Sequence, residues 1–82
     1  MKYVVIKKGS TFRVGDVLSC WDEELNRSIT GYVLKVSKNK ELGDYDLHIR
    51  WNDPFVAFEV CGSTDGTERI KQGLWKFYPM NL

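Results

Sequence analysis

GDVLSCWDEELNRSITGYVLKVSKNKELGDYDLHIRW, residues 15–51, decides the fold of this chain. Apolar and polar residues alternate in three runs, and polar linkers separate them. A repeat of two is the signature of half-buried antiparallel strands joined by short loops. In the clearest run, Tyr45, Leu47, Ile49 and Trp51 alternate with Asp46, His48, Arg50 and Asn52. Upstream, Val17, Ser19 and Trp21 fall on one face of a strand, and Leu18, Cys20 and Asp22 on the other. Gly31, inside the strand ITGYVLKVSK, predicts a bulge or sharp coil. Gly43 predicts a positive φ in the hairpin loop NKELGD.

Outward from this stretch the same reading continues. Residues 3–7 form a first or edge strand, and GSTF is a turn. Asp53-Pro54 forces a turn, and PFVAFEVCG is a more apolar, central strand. GSTDGTE is a loop. ERIKQG is one helical turn over about residues 66–72, capped by Asp65 or Thr67 and ended by Gly73. LWKFYP is the last strand, terminated by Pro79. The predicted fold is all-β: a small SH3-like barrel of five to six antiparallel strands, with one short helical turn before the last strand. Ile6, Val17, Val33, Leu47, Ile49, Val56, Phe58 and Trp75 are the candidate core.

The 82 residues make one domain, 1–82, without repeats or linkers. A chain of this size buries only about 60% of its unfolded surface, so its three Trp, four Tyr and four Phe matter to stability. The apolar run YVVI is too short for the core of a signal peptide or for a membrane helix. A cytoplasmic location is expected, the host cytoplasm if the protein is viral. The size and style suit a small phage-encoded protein that modulates its host. Cys20 and Cys61 read as reduced thiols that would pair only if their strands face each other.

Net charge is +1, so nothing pulls the whole molecule toward nucleic acid. The charge is nevertheless blocked. Lys2, Lys7, Lys8 and Arg13 precede Asp16, Asp22, Glu23 and Glu24; then come Arg27, Lys35, Lys38 and Lys40; residues 41–68 set seven carboxylates against Arg50. Such blocks either solvate loops and edges or divide one small barrel into a basic and an acidic face.

A resemblance rests on these residues. Gly15-Asp16-Val17 followed by Gly31-x-Val33-x-x-Val36 looks like the start of KOW-type and Tudor-type domains. With Trp21 ending one strand and Trp51-Asn52-Asp53 ending another, the pattern resembles the Tudor arrangement of cage aromatics. It covers residues 12–61. TFRVGDVLSCWDEE also resembles the opening of a signalling SH3 domain, and FYPMN its closing Pro-x-Asn. The chain departs from the KOW pattern at Asp22, Glu23 and Glu24, where that family carries basic residues and glycines. It departs from the Tudor pattern at Pro54, which precedes Phe55.

Enzyme chemistry is not readable. His48 is the one histidine and lies in the polar phase of its strand. It has no Cys or His partner at ligand spacing, and neither a nucleophile motif nor a phosphate-binding loop occurs. No catalytic residue, metal or cofactor is therefore expected. The aromatics carry more. Trp21, Tyr32 and Trp51 sit near strand ends and Phe55 follows a turn, which makes them a candidate partner-binding patch. The competing reading is that they fill the core, most strongly for Trp51, in phase with Leu47 and Ile49. Arg27, Lys35, Lys38 and Lys40 are candidate phosphate contacts. Two functions follow: a protein-interaction or regulatory adaptor acting on a protein partner, favoured by near-neutral charge, and a KOW- or Tudor-like nucleic-acid-binding protein, favoured by the resemblance and the clustered bases.

Overall fold

A computed structural model describes residues 12–80 of the chain. Among them the chain runs β1 (Val17–Asp22), β2 (Arg27–Asn39), β3 (Asp44–Trp51), β4 (Phe58–Gly62), α1 (Ser63–Lys71) and β5 (Trp75–Tyr78). The strands form one antiparallel sheet in the order β4-β3-β2-β1-β5. The predicted all-β fold with a helix before the last strand is present. Its edges β4 and β5 do not pair with each other among the described residues, so the sheet is curled without being a closed barrel. The predicted strand at residues 3–7, with Ile6, lies outside the described residues.

The curl originates in β2. Its first half pairs with β1 and its second with β3, and the register slips between Val33 and Lys35. Leu34 is the extra residue of this bulge, which bends the strand and increases its twist. Gly31, the predicted bulge, has a different role. A Cβ there would stand 2.5 Å from Cε3 of Trp51, its partner across the ladder. The glycine lets that indole lie against the β2 backbone.

The concave face is the core: Leu18, Val33, Leu47, Ile49, Ile70 and Phe77 are almost fully buried, with Phe12, Trp51 and Trp75 around them. Phe12 and Phe77 pack with ring centroids 5.2 Å apart, and Trp51 meets Trp75 edge-on at 5.8 Å. Four of the eight expected core residues, Val33, Leu47, Ile49 and Trp75, are buried. Val17 is half-buried, because β1 turns Leu18 inward instead. Val56 and Phe58 are exposed, because the segment expected to be a central strand is first a turn and then the sheet edge. In β4 it is Glu59 and Cys61 that face inward.

The helix covers the gap between the sheet edges, packing on β3, β4 and β5. Its buried stripe is Ser63, Gly66, Thr67 and Ile70, the i, i+3, i+4, i+7 positions of one helical face. Gly66 permits the approach: a Cβ there would sit 3.0 Å from Trp75 and 3.2 Å from Leu47. The helix starts at Ser63, earlier than predicted, and neither Asp65 nor Thr67 caps it. Its cap comes from β3: the Asp44 carboxylate accepts bonds from the Ser63 hydroxyl and from the Thr64 N–H, the latter at 3.2 Å. Gly73 ends it as predicted. With φ +79°, Gly73 donates to Ile70 O and Leu74 donates to Arg69 O, the paired bonds of a Schellman stop.

Buried Asp16 ties the ends of the described chain together. Its carboxylate accepts the Arg13 N–H at 2.7 Å and the Met80 N–H at 2.9 Å.

Two outcomes follow. Gly31→Ala forces Trp51 off the β2 backbone and lowers stability by about 1–3 kcal/mol in urea unfolding, the usual cost of overpacking. The second concerns acid. Burial pushes the Asp44 carboxyl up, but bonds from Ser63, Tyr45 and Thr64 outweigh it and hold the group at about 2 against its ordinary 3.8. A depressed carboxyl stabilises the fold fully above its unfolded value, and that contribution is lost as pH falls through its folded value. Asp44→Asn is therefore less stable than the parent at pH 7 and loses less on acidification from about pH 5 toward pH 2, read by thermal melts across that range.

Candidate functional site

Trp21 closes β1 on its outward face, opposite Ser28. It remains 59% exposed. Beyond it the chain turns through residues 23–26, where the Asp22 carboxylate accepts the N–H groups of Glu24 (2.9 Å) and Leu25 (3.2 Å), and Asn26 takes a left-handed φ of 51°. Trp21 stands between two shallow grooves. One, of about 480 Å³, is walled by Ser19, Ser28, Leu74 and Lys76. The other, of about 410 Å³, runs between Trp21 and Phe55, with Ile29 and Val56 at its sides.

The second groove is acidic. Asp22, Glu23, Glu24 and Asp53 all line it. Asp53 is fixed by a turn of its own, accepting the N–H groups of Phe55 (2.8 Å) and Val56 (3.4 Å). That turn projects Phe55 outward, 69% exposed. The Phe55 N–H first, and then a hydrogen bond shared with the Asp22 side chain, hold Asp53 below the usual carboxylate range, with Arg27 acting in the same direction. Two aromatic rings facing solvent beside carboxylates are chemically suited to a cationic side chain.

The predicted aromatic patch is thus divided. Trp21 and Phe55 share a groove. Tyr32 lies farther along the outer face, opposite Val17 and Arg50. Trp51 is no contact residue: it is 4% exposed, its indole rests on Gly31, and its Nε1 donates to Glu59 at 3.0 Å. Glu59 also pairs with Arg69 at 2.8 Å, whose guanidinium lies 4.9 Å from the Trp75 ring centroid.

The four basic candidates do not form one surface. Arg27 pairs across the ladder with Asp22 and belongs to the acidic end. Lys35 stands opposite His48 on the outer face. Lys38 stands opposite Tyr45 on the other face of the sheet, and Lys40 lies in the β2–β3 turn. The bulge does not restore them to one face, because the slip precedes Lys35. His48 is half-buried, its Nε2 3.1 Å from the Ser37 hydroxyl.

Sequence reasoning missed the groove carboxylates Asp22 and Asp53, which come together only through the register of β1, β2 and β3. The Asp53-Pro54-Phe55 turn was the available signal. Among the described residues no group of three or more His, Cys, Asp or Glu side chains could hold a metal ion. None of their helices is long and apolar enough to cross a membrane. Cys20 and Cys61 are free thiols. Burial, then Glu59, raises both, Cys61 to about 12, so both are neutral near pH 7. No family model matches the chain, and neither a curated protein nor a solved structure matches it significantly.

The two tryptophans should respond oppositely to truncation. Trp21→Ala shifts stability by no more than about 0.5 kcal/mol, as for a surface residue. Trp51→Ala costs about 3–5 kcal/mol by leaving a core cavity and an unpaired Glu59 oxygen. Chemical denaturation of both variants checks this.

Proposed function

We propose that the protein is a non-enzymatic interaction module of the cytoplasm that captures a protein segment bearing a lysine or arginine side chain. The supporting observation is the groove between Trp21 and Phe55. Both rings are more than half exposed, and Asp22, Glu23, Glu24 and Asp53 surround them. Exposed Trp and Phe side by side resemble the anchors that carry most of the energy of protein interfaces. An ammonium or guanidinium group meets ring faces, which attract cations, and carboxylates that neutralise it. The other groove, reaching from Trp21 toward Leu74 and Lys76, lets an extended segment continue past the indole. A groove this open suits a regulatory adaptor with modest affinity and a readily exchanged partner.

Trp21 reports on the interaction directly, since Trp51 and Trp75 are buried. A short lysine-rich peptide should shift Trp21 emission and bind saturably, and its glutamate-rich counterpart should not. By anisotropy of the labelled peptide, Trp21→Ala and Phe55→Ala should each weaken binding about tenfold, about 1.4 kcal/mol, with melting temperatures close to the parent's. Equal binding of both peptides, or variants that bind like the parent, would refute the reading.

A further inference from the structure

The convex face of the sheet carries a second surface, and its chemistry is the reverse of the groove's. The ladders align Phe58 with Arg50, Arg50 with Tyr32, Tyr32 with Val17, and Val17 with Tyr78. These five residues form one unbroken row across all five strands, in the order β4-β3-β2-β1-β5. An aromatic ring stands on every second strand. With strands about 4.8 Å apart, successive rings are separated by roughly 10 Å. Phe58 and Tyr32 are 60% and 44% exposed. The Arg50 guanidinium lies 5.2 Å from the Phe58 ring centroid, which braces the ring on the edge strand. Lys35 lies in the adjoining row beside His48, and Lys76 flanks Val17 and Tyr78 through its partner Ser19. No carboxylate falls in the aromatic row or in these neighbouring pairs; Asp46 lies one pair beyond His48, and Glu23 shares with Lys76 the groove beside Trp21.

We propose that this face binds single-stranded nucleic acid, with Tyr32 and Phe58 as stacking platforms and Arg50, Lys35 and Lys76 as phosphate contacts. Ring faces on an open sheet accept bases whose own faces are free, which a duplex conceals, and such stacking is tolerant of sequence. The charge also decides against a second copy of the chain, because like cations would be opposed in a face-to-face pair. The surface is separate from the acidic groove, which would repel phosphate. The two meet at Lys76, which also walls the groove beside Trp21.

The test compares a labelled thymidine oligonucleotide of about twelve nucleotides with an abasic strand of the same length, by anisotropy, at about 50 to 200 mM salt. The base-bearing strand should bind saturably and at least about tenfold more tightly than the abasic one. Tyr32→Ala and Phe58→Ala should each weaken it about tenfold, as loss of one stacked base does. The log–log salt slope should be about −2 for three neutralised phosphates on a single strand, and Arg50→Gln or Lys35→Gln should each reduce its magnitude by about 0.7. Lys38→Gln removes the same charge from the opposite face and should leave the slope as it was. Phe58 lies on the edge strand, so Phe58→Ala keeps the test decisive if Tyr32→Ala melts early. The proposal is overturned if abasic or duplex DNA binds as tightly as the thymidine strand. Folded Phe58→Ala binding like the parent, or an acidic peptide competing as well as the oligonucleotide, would overturn it too.

Discussion

The contact on which the rest depends is the Trp51 indole lying on Gly31. A sheet of five short strands curls to bury one face, but its edges β4 and β5 do not meet through backbone bonds among the described residues. Side chains complete the enclosure. From its seat on Gly31, Trp51 hydrogen-bonds Glu59 of β4, Glu59 holds Arg69 of α1, and Arg69 lies over Trp75 of β5, which returns to Trp51 edge-on. This circuit links four strands and the helix. Its Glu59–Arg69 pair is only partly exposed and shares its carboxylate with an indole N–H, so solvent screens it less than an ordinary surface pair. Any side chain at position 31 would displace the indole and open the circuit at its source.

Three aspartates supply what this circuit lacks. Asp16, Asp44 and Asp53 each accept backbone N–H groups that no strand or helix bond reaches: Arg13 and Met80, Thr64, and Phe55 and Val56. A charged acceptor is stronger than a neutral one, and removing Asp16 or Asp53 leaves part-buried donors without a partner. In a domain with so small a core, such bonds fix where the irregular segments run. Asp53 also has a consequence for function, because the turn it holds sets Phe55 beside Trp21.

Strand alternation made the fold class legible, because a period of two is local information. Gly43 and Gly73 were legible for the same reason: each supplies a positive φ that its own turn needs. The start of α1 was not, because its cap is Asp44, nineteen residues before Ser63, and its buried stripe is made of Ser, Gly and Thr instead of large apolar residues. Val17 and Phe58 misled for a related reason. An apolar residue on a strand suggests the core, yet here Val17 and Phe58 occupy the outward phase with Arg50 and Tyr32. Which phase faces inward is a property of the assembled sheet. The candidate site was legible in its rings, Trp21 and Phe55, and illegible in its carboxylates, because Asp22 and Asp53 are brought together by strand pairing alone.

The near-zero net charge conceals a strong division. The carboxylates of the β1–β2 turn and of the Asp53 turn gather at one end of the curl, while Arg50, Lys35 and Lys76 occupy the convex face. The geometry of a single small sheet makes this division natural. The concave face is consumed by the core and by α1, so among the described residues the strand-end loops, the convex face and the outer side of α1 meet solvent. In the strand-end loops Asp16, Asp22 and Asp53 bond their own backbone. The convex face consists of strand positions, where aromatic and long basic side chains pack flat against their cross-strand neighbours. The near-balance of charge also keeps the field of the whole molecule weak, which leaves little long-range attraction for any charged partner.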